Sequence, residues 1–160
     1  MMEEAITPSK LVRRDFLKWG GAGAVGAVAL TLIPFPVEAT PATVLDAMGK
    51  LVDQKKLQEG RINITLPEIA ENGSVVSMTV EVTGPMTAED HVKAIHIFAD
   101  GNPLPDVASY YLSPQSGKAE VSLRIRLAKT QKIVVAAETS TGEAFIARRL
   151  IKVTLGGCGG

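Results

Sequence analysis

The sequence predicts an all-β protein: an immunoglobulin-like antiparallel β-sandwich with an N-terminal amphipathic helix and a flexible glycine-rich C-terminal arm. Three observations predict it. Apolar and polar residues alternate along several short runs, turn signals separate those runs at close intervals, and after the last run side chains nearly vanish in Gly156-Gly157-Cys158-Gly159-Gly160.

The first segment, residues 1–39, reads as an export leader. Lys10, Arg13, Arg14 and Lys18 precede an apolar, glycine-rich run from Trp19 to Ile33, which is the order of a secretory signal. That run is shorter than the roughly 20 residues of a transmembrane helix. Arg13-Arg14 followed by Phe16-Leu17-Lys18 resembles the twin-arginine export motif, with Val12 where serine or threonine is more usual. Pro34 and Pro36 end the run, and the small-residue spacing of Val37-Glu38-Ala39 places peptidase cleavage after Ala39. The expected destination is the periplasm by the twin-arginine route, without stable membrane insertion of the mature chain. A leader that stays attached as an anchor is the alternative.

Residues 40–60 form the helical segment. Val44, Leu45, Met48, Leu51, Val52 and Leu57 recur mostly at spacings of three and four, which predicts one helix from Thr43 to Leu57, ended by Gly60 and packed on a sheet edge. Residues 61–154 change to a period of two. Ile62, Ile64 and Leu66 alternate with polar residues, as do Val76, Met78, Val80 and Val82, and then Val121, Leu123, Ile125 and Leu127. Val92 to Phe98, Ile133 to Ala137 and Phe145 to Val153 are further β-rich runs, giving six or seven strands. Turns are expected at Asn72-Gly73, Gly84-Pro85, Asp100-Gly101-Asn102-Pro103, Ser116-Gly117 and Thr141-Gly142.

Length and composition fit a single domain: 160 residues, 46% hydrophobic and 21% charged. Seventeen basic side chains balance seventeen acidic ones, so the chain lacks the electrostatic footprint that grips nucleic acid or an anionic membrane. Tyr110, Tyr111, Trp19 and four phenylalanines are too scattered to form stacking platforms. His91 and His96, the two histidines, are separated by an odd number of residues, which on a strand sends them to opposite faces and predicts structural roles. The acidic residues form no calcium loop, and neither a dinucleotide fingerprint nor a nucleophile elbow is present. No bound cofactor is expected.

The single cysteine then demands an explanation, because an odd thiol in an exported protein is either reactive or paired between molecules. Residues 155–160 surround it with Gly156, Gly157, Gly159 and Gly160. Glycine offers no apolar burial against the roughly 1–2 kcal/mol per residue that ordering costs, so the segment is expected to be flexible and slender enough for a partner's active-site channel. An exposed thiol titrates near ~8.5, and no histidine or lysine accompanies Cys158 in the tail. The attacking thiolate therefore has to be generated inside a partner's site, which makes this chain a carried substrate rather than an enzyme. A lipoprotein signal is excluded because Leu155-Gly156-Gly157-Cys158 does not follow an N-terminal leader, and a prenylation signal because two residues rather than three follow the cysteine. A C-terminal thiocarboxylate and an incidental cysteine in a disordered end are further alternatives.

The Gly156-Gly157-Cys158-Gly159-Gly160 terminus, the twin-arginine leader and a β-rich domain of this size together resemble the SoxY family of bacterial sulfur carriers. The resemblance implies that Cys158 holds sulfur intermediates covalently during periplasmic thiosulfate oxidation, as a sulfane or thiosulfonate adduct. It also implies a heterodimer with a cysteine-free, SoxZ-like β-sandwich subunit. Transient partners would be a haem-containing SoxAX enzyme, a manganese-dependent SoxB hydrolase and, in some pathways, a molybdenum-haem SoxCD dehydrogenase. The competing function is a structural β-sandwich module whose tail thiol forms intermolecular disulfides.

Overall fold

A computed structural model describes residues 39–157. Wherever the period-two pattern offers one apolar face, the chain becomes strand: β1 (Leu57–Glu59), β2 (Ile62–Thr65), β3 (Ile69–Asn72), β4 (Val76–Val82), β5 (Val92–Ala99), β6 (Asp106–Tyr111), β7 (Glu120–Ile125), β8 (Gln131–Thr139) and β9 (Ala144–Leu155). One α-helix, α1 (Pro41–Gly49), precedes them. The strands form two open sheets. The larger has the order β1-β9-β8-β5-β6, with β3 added alongside β9, and the smaller has the order β2-β4-β7.

The two sheets share one core. Ile95, Ile97, Ile133, Val135 and Ile151 from the larger sheet meet Val76, Met78, Val80 and Ile125 from the smaller. A second apolar layer lies on the other face of the larger sheet, where Phe98, Val134, Ala136 and Ile146 are covered by Val44, Ala47 and Met48 of α1 and by Val52. Burial on both faces explains why β5 and β8 read as nearly continuous apolar runs instead of alternating.

The helix is shorter than its periodicity suggests and sits on a sheet face, not an edge. Thr40 caps it in a reciprocal pair with Thr43: the Thr40 N–H donates to Thr43 Oγ1 at 2.7 Å, and the Thr43 N–H donates to Thr40 Oγ1 at 3.3 Å. Pro41 occupies the first turn, where its missing N–H costs nothing. The helix stops at Gly49, before Leu57, because the chain must be extended from Leu57 onward to pair with β9. Asp53 instead caps a single 3-10 turn, Gln54–Lys56, through its Oδ1 and the Lys55 N–H at 3.1 Å.

Gly60 serves a different purpose from the helix stop expected of it. Gly60 (φ 118°) and Arg61 (φ 58°) make the turn that carries the chain from β1 in one sheet to β2 in the other. A left-handed arginine is strained, and side-chain contacts hold it there. Arg61 Nε donates to the Thr83 carbonyl at 2.9 Å, Nη1 lies 3.1 Å from Glu143 Oε2, and the guanidinium stands 4.9 Å from the Phe145 ring centre.

Two further features depart from a purely antiparallel sandwich of six or seven strands. β1 and β3 both run parallel to β9, and β3 and β6 carry too few buried residues to announce themselves by pattern. β6 is a half-exposed edge strand, and β3 contributes Ala70 alone to the buried set. Among the described residues no helix is long and apolar enough to cross a membrane.

The placement of α1 makes a face-specific prediction. Met48 is 1% exposed and Leu45 is 45% exposed. Met48→Ala should destabilise the domain by about 2–5 kcal/mol, whereas Leu45→Ala should stay within about 0.5 kcal/mol of the parent. Urea unfolding of both variants checks this, and equal effects would mean that α1 does not cover the sheet through this face.

Candidate functional site

The strand leading to Cys158 is hydrogen-bonded on both sides. β9 outlasts its partner β8, whose pairing begins at Gln131 opposite Ile151. Beyond that point β3 flanks β9 in parallel register, Ile69 opposite Lys152 and Asn72 opposite Leu155. The Lys152 N–H donates to the Glu68 carbonyl at 3.0 Å, and Thr154 Oγ1 donates to the Glu71 carbonyl at 2.8 Å. On the opposite side the Val153 N–H donates to Thr130 Oγ1 at 2.9 Å.

At the end of β3 the Asn72-Gly73 turn folds over the root of the arm. Asn72 Oδ1 accepts the Ser74 N–H at 2.8 Å, an Asx turn that sets the direction of Gly73. The Gly73 N–H then donates to the Leu155 carbonyl at 2.7 Å, and the Gly73 carbonyl accepts the Leu127 N–H at 2.8 Å. The Leu127 carbonyl accepts the Gly157 N–H at 2.8 Å. Three chain segments thus meet through main-chain atoms alone.

This contact needs glycine for room rather than for backbone angle. None of Gly73, Gly156 and Gly157 has a left-handed φ. A Cβ on Gly73 would strike the Leu127 carbonyl oxygen, one on Gly156 the Ala128 carbonyl oxygen, and one on Gly157 the backbone of Gly73 and Ser74. The last strand runs to Leu155, one residue past the expected boundary at 154, and Gly156 and Gly157 lie against the backbone of Ala128, Gly73 and Ser74. Each backbone bond contributes about 0.5–1.5 kcal/mol net, against roughly 1–2 kcal/mol to order each residue, so the seated segment lies close to balance.

Cys158, Gly159 and Gly160 lie outside the described residues, as do Arg13 and Arg14 of the leader. Gly73 is the residue that sequence reasoning missed as part of this site. Asn72-Gly73 signals a turn, but nothing in the local pattern shows that the turn abuts residues some eighty positions later. Around the root, Ile69, Val75, Leu150 and Leu155 are large apolar side chains that remain exposed.

The histidines occupy separate places. His91 precedes β5, with Nδ1 3.1 Å from the Thr87 carbonyl oxygen. His96 is buried on β5, with Nδ1 2.8 Å from Ser109 Oγ and its ring edge-on to Tyr111 at 6.0 Å between centres. Burial lowers the His96 pKa from its ordinary 6.5; the charges of Glu138 and Asp106 oppose that shift and Lys93 adds to it. Among the described residues no three histidine, cysteine or acidic side chains cluster as a metal site.

A family model described as sulfur oxidation protein SoxY matches residues 48–158, ending on Cys158. The chain belongs to the SoxY family. The match takes in every strand, the Gly73 turn and both seated glycines of this SoxY-family chain. A solved structure of the sulfur carrier protein SoxY from Chlorobium limicola f thiosulfatophilum is 37% identical, with a TM-score of 0.56, covering 70% of this chain and 96% of that one. Superoxide reductase (neelaredoxin) from Ignicoccus hospitalis is 19% identical with a TM-score of 0.53, covering 73% of this chain and 95% of its own. Hypothetical protein PH1083 from Pyrococcus horikoshii OT3 is 15% identical with a TM-score of 0.53, covering 63% and 100%. The last two likenesses show the fold alone. No curated protein matches the chain.

The shift at His96 fixes a pH dependence. A histidine whose pKa is lower in the folded state leaves the unfolded chain binding more protons below 6.5, so stability falls as pH drops from 6.5 through the lowered value. Urea midpoints measured on either side of 6.5 should show this decline, and His96→Gln should flatten it. An unchanged slope in His96→Gln would assign the decline to other groups.

Proposed function

We propose that this SoxY-family chain carries sulfur covalently on Cys158 during periplasmic thiosulfate oxidation, as a protein-bound substrate and not as a catalyst. The observation that carries the reading is the SoxY match, whose span takes in the seated glycines and ends at Cys158. The 37%-identical sulfur carrier supports it. The proposed scaffold is an immunoglobulin-like sandwich exported by the twin-arginine route through Arg13 and Arg14. Ala39 is buried and its N–H donates to the Asn102 carbonyl at 2.8 Å, so a cut after Ala39 would give up that contact and leave Thr40 as the first residue.

The proposed chemistry balances as follows. The Cys158 thiol and thiosulfate join through a new S–S bond, giving a cysteine S-thiosulfonate, one proton and two electrons, and the electrons pass to a SoxAX-type haem enzyme. Water then cleaves the bond between the sulfane and sulfonate sulfurs on a SoxB-type hydrolase, releasing sulfate and a proton and leaving a persulfide on Cys158. A SoxCD-type dehydrogenase is a further proposed visitor. The domain's part is to dock: a SoxZ-like subunit forms the stable heterodimer and the arm delivers the cargo. The chain itself needs no resident metal or organic cofactor for this role.

Intact-protein mass spectrometry of the mature chain from thiosulfate-grown cells tests the reading. The expected result is reductant-labile sulfane or thiosulfonate mass on Cys158, and complete loss of thiosulfate-dependent turnover in Cys158→Ser with subunit pairing unchanged. A thiol always free, or found solely as a disulfide dimer, would overturn the reading in favour of a structural interaction module.

A further inference from the structure

The geometry points to Gly73 as a positioning residue for the carrier cysteine: with the carbonyl groups of Leu127 and Ala128 it forms a backbone seat that grips Gly156 and Gly157 and so fixes where Cys158 leaves the domain. The inference deepens the carrier reading and rests on it. Its physical basis is the closed circuit of main-chain bonds. Gly73 donates to Leu155 at 2.7 Å and accepts from Leu127 at 2.8 Å, while Leu127 accepts from Gly157 at 2.8 Å. Leu155 and Gly157 are thereby tied to the same turn from opposite sides.

Steric fit makes the circuit selective for glycine at each of its three corners. The position of a Cβ on Gly73 lies 2.9 Å from the Gly157 nitrogen as well as against the Leu127 carbonyl, so even alanine at residue 73 displaces the arm. Substitutions at Gly156 or Gly157 meet backbone, which cannot swing aside as a long side chain would. Thr154, just before the seated segment, has a bond of its own to Glu71, separate from the circuit.

The seat gives the arm two lengths. Filled, it leaves Cys158 one residue beyond the last gripped amide. Emptied, it frees Leu155 to Gly157, adding about 10 Å of extended chain at roughly 3.3 Å per residue. The occupants of the seat are small enough, and the bonds few enough, for a partner that binds the arm deeply to empty it. Short reach suits loading near the domain surface, and long reach suits a recessed active site.

The test uses the full mature chain with a nitroxide on Cys158 and, separately, the unlabelled reduced protein. In the wild type the Gly157 amide should exchange with solvent about 10-fold or more slowly than the Gly159 amide. The nitroxide should broaden the amide signals of Gly73, Ser74 and Leu127 selectively. Gly73→Ala should bring Gly157 exchange to the Gly159 rate and weaken the selective broadening, and Gly157→Ala, beyond the last strand, should weaken the broadening by the same displacement and covers the case in which Gly73→Ala fails to fold. Val75→Ala, exposed and adjacent, should change neither signal. Equal exchange at Gly157 and Gly159 in the wild type, or broadening undiminished in both glycine variants, would overturn the seat. Neither readout involves sulfur transfer: a protected Gly157 with an active Cys158→Ser would sink the carrier reading and leave the seat standing, and an unprotected Gly157 with an inactive Cys158→Ser would do the reverse.

Discussion

β9 is bonded along both flanks, and the placement of the other elements follows from its register. Its first residues pair in parallel with β1, its middle pairs antiparallel with β8, and its last residues pair in parallel with β3. A slip of one residue would turn Ile151 out of the core, where it is fully buried, and would move Leu155 out of reach of Gly73. Because β1 follows α1 after a single 3-10 turn, the same register also holds the helix over Phe98, Val134 and Ile146. Two cores and the root of the arm therefore depend on one strand.

This coupling explains how a nearly featureless tail can be delivered from a defined point. The domain contributes hydrogen-bonded strand up to Leu155 and one further backbone bond at Gly157, and in the proposed reading the thiol follows directly. A carrier needs those properties in that order.

The parts of the molecule legible in the sequence were those with complete periodic patterns. β4 is found at the residues that alternate from Val76 to Val82, and the runs beginning at Ile62, Val92, Ile133 and Phe145 all became strand. The helix was legible as an element but not in its end, because the demand that ended it came from β9, far along the chain. β3 and β6 were invisible for a related reason. Short edge strands bury few side chains, so pairing rather than pattern creates them. The glycines of the arm were recognised as exceptional on composition. Their close approach to Leu127, Ala128 and Gly73 was not, since the absence of a side chain leaves room without saying what fills it.

The seat at the arm's root is made of amides and carbonyls, groups that neither titrate nor carry net charge in the range where proteins survive. Its grip is thus indifferent to acidity and to ionic strength, in contrast to ion pairs such as Arg61 with Glu143 and to the buried imidazole of His96. Each of the two proposed steps on the carrier cysteine would release a proton, so the surroundings of a carrier working in that way would turn more acid. On the proposed seat, an arm anchored by backbone would keep its geometry through that change, and its release would answer to the partner it visits rather than to the chemistry it serves.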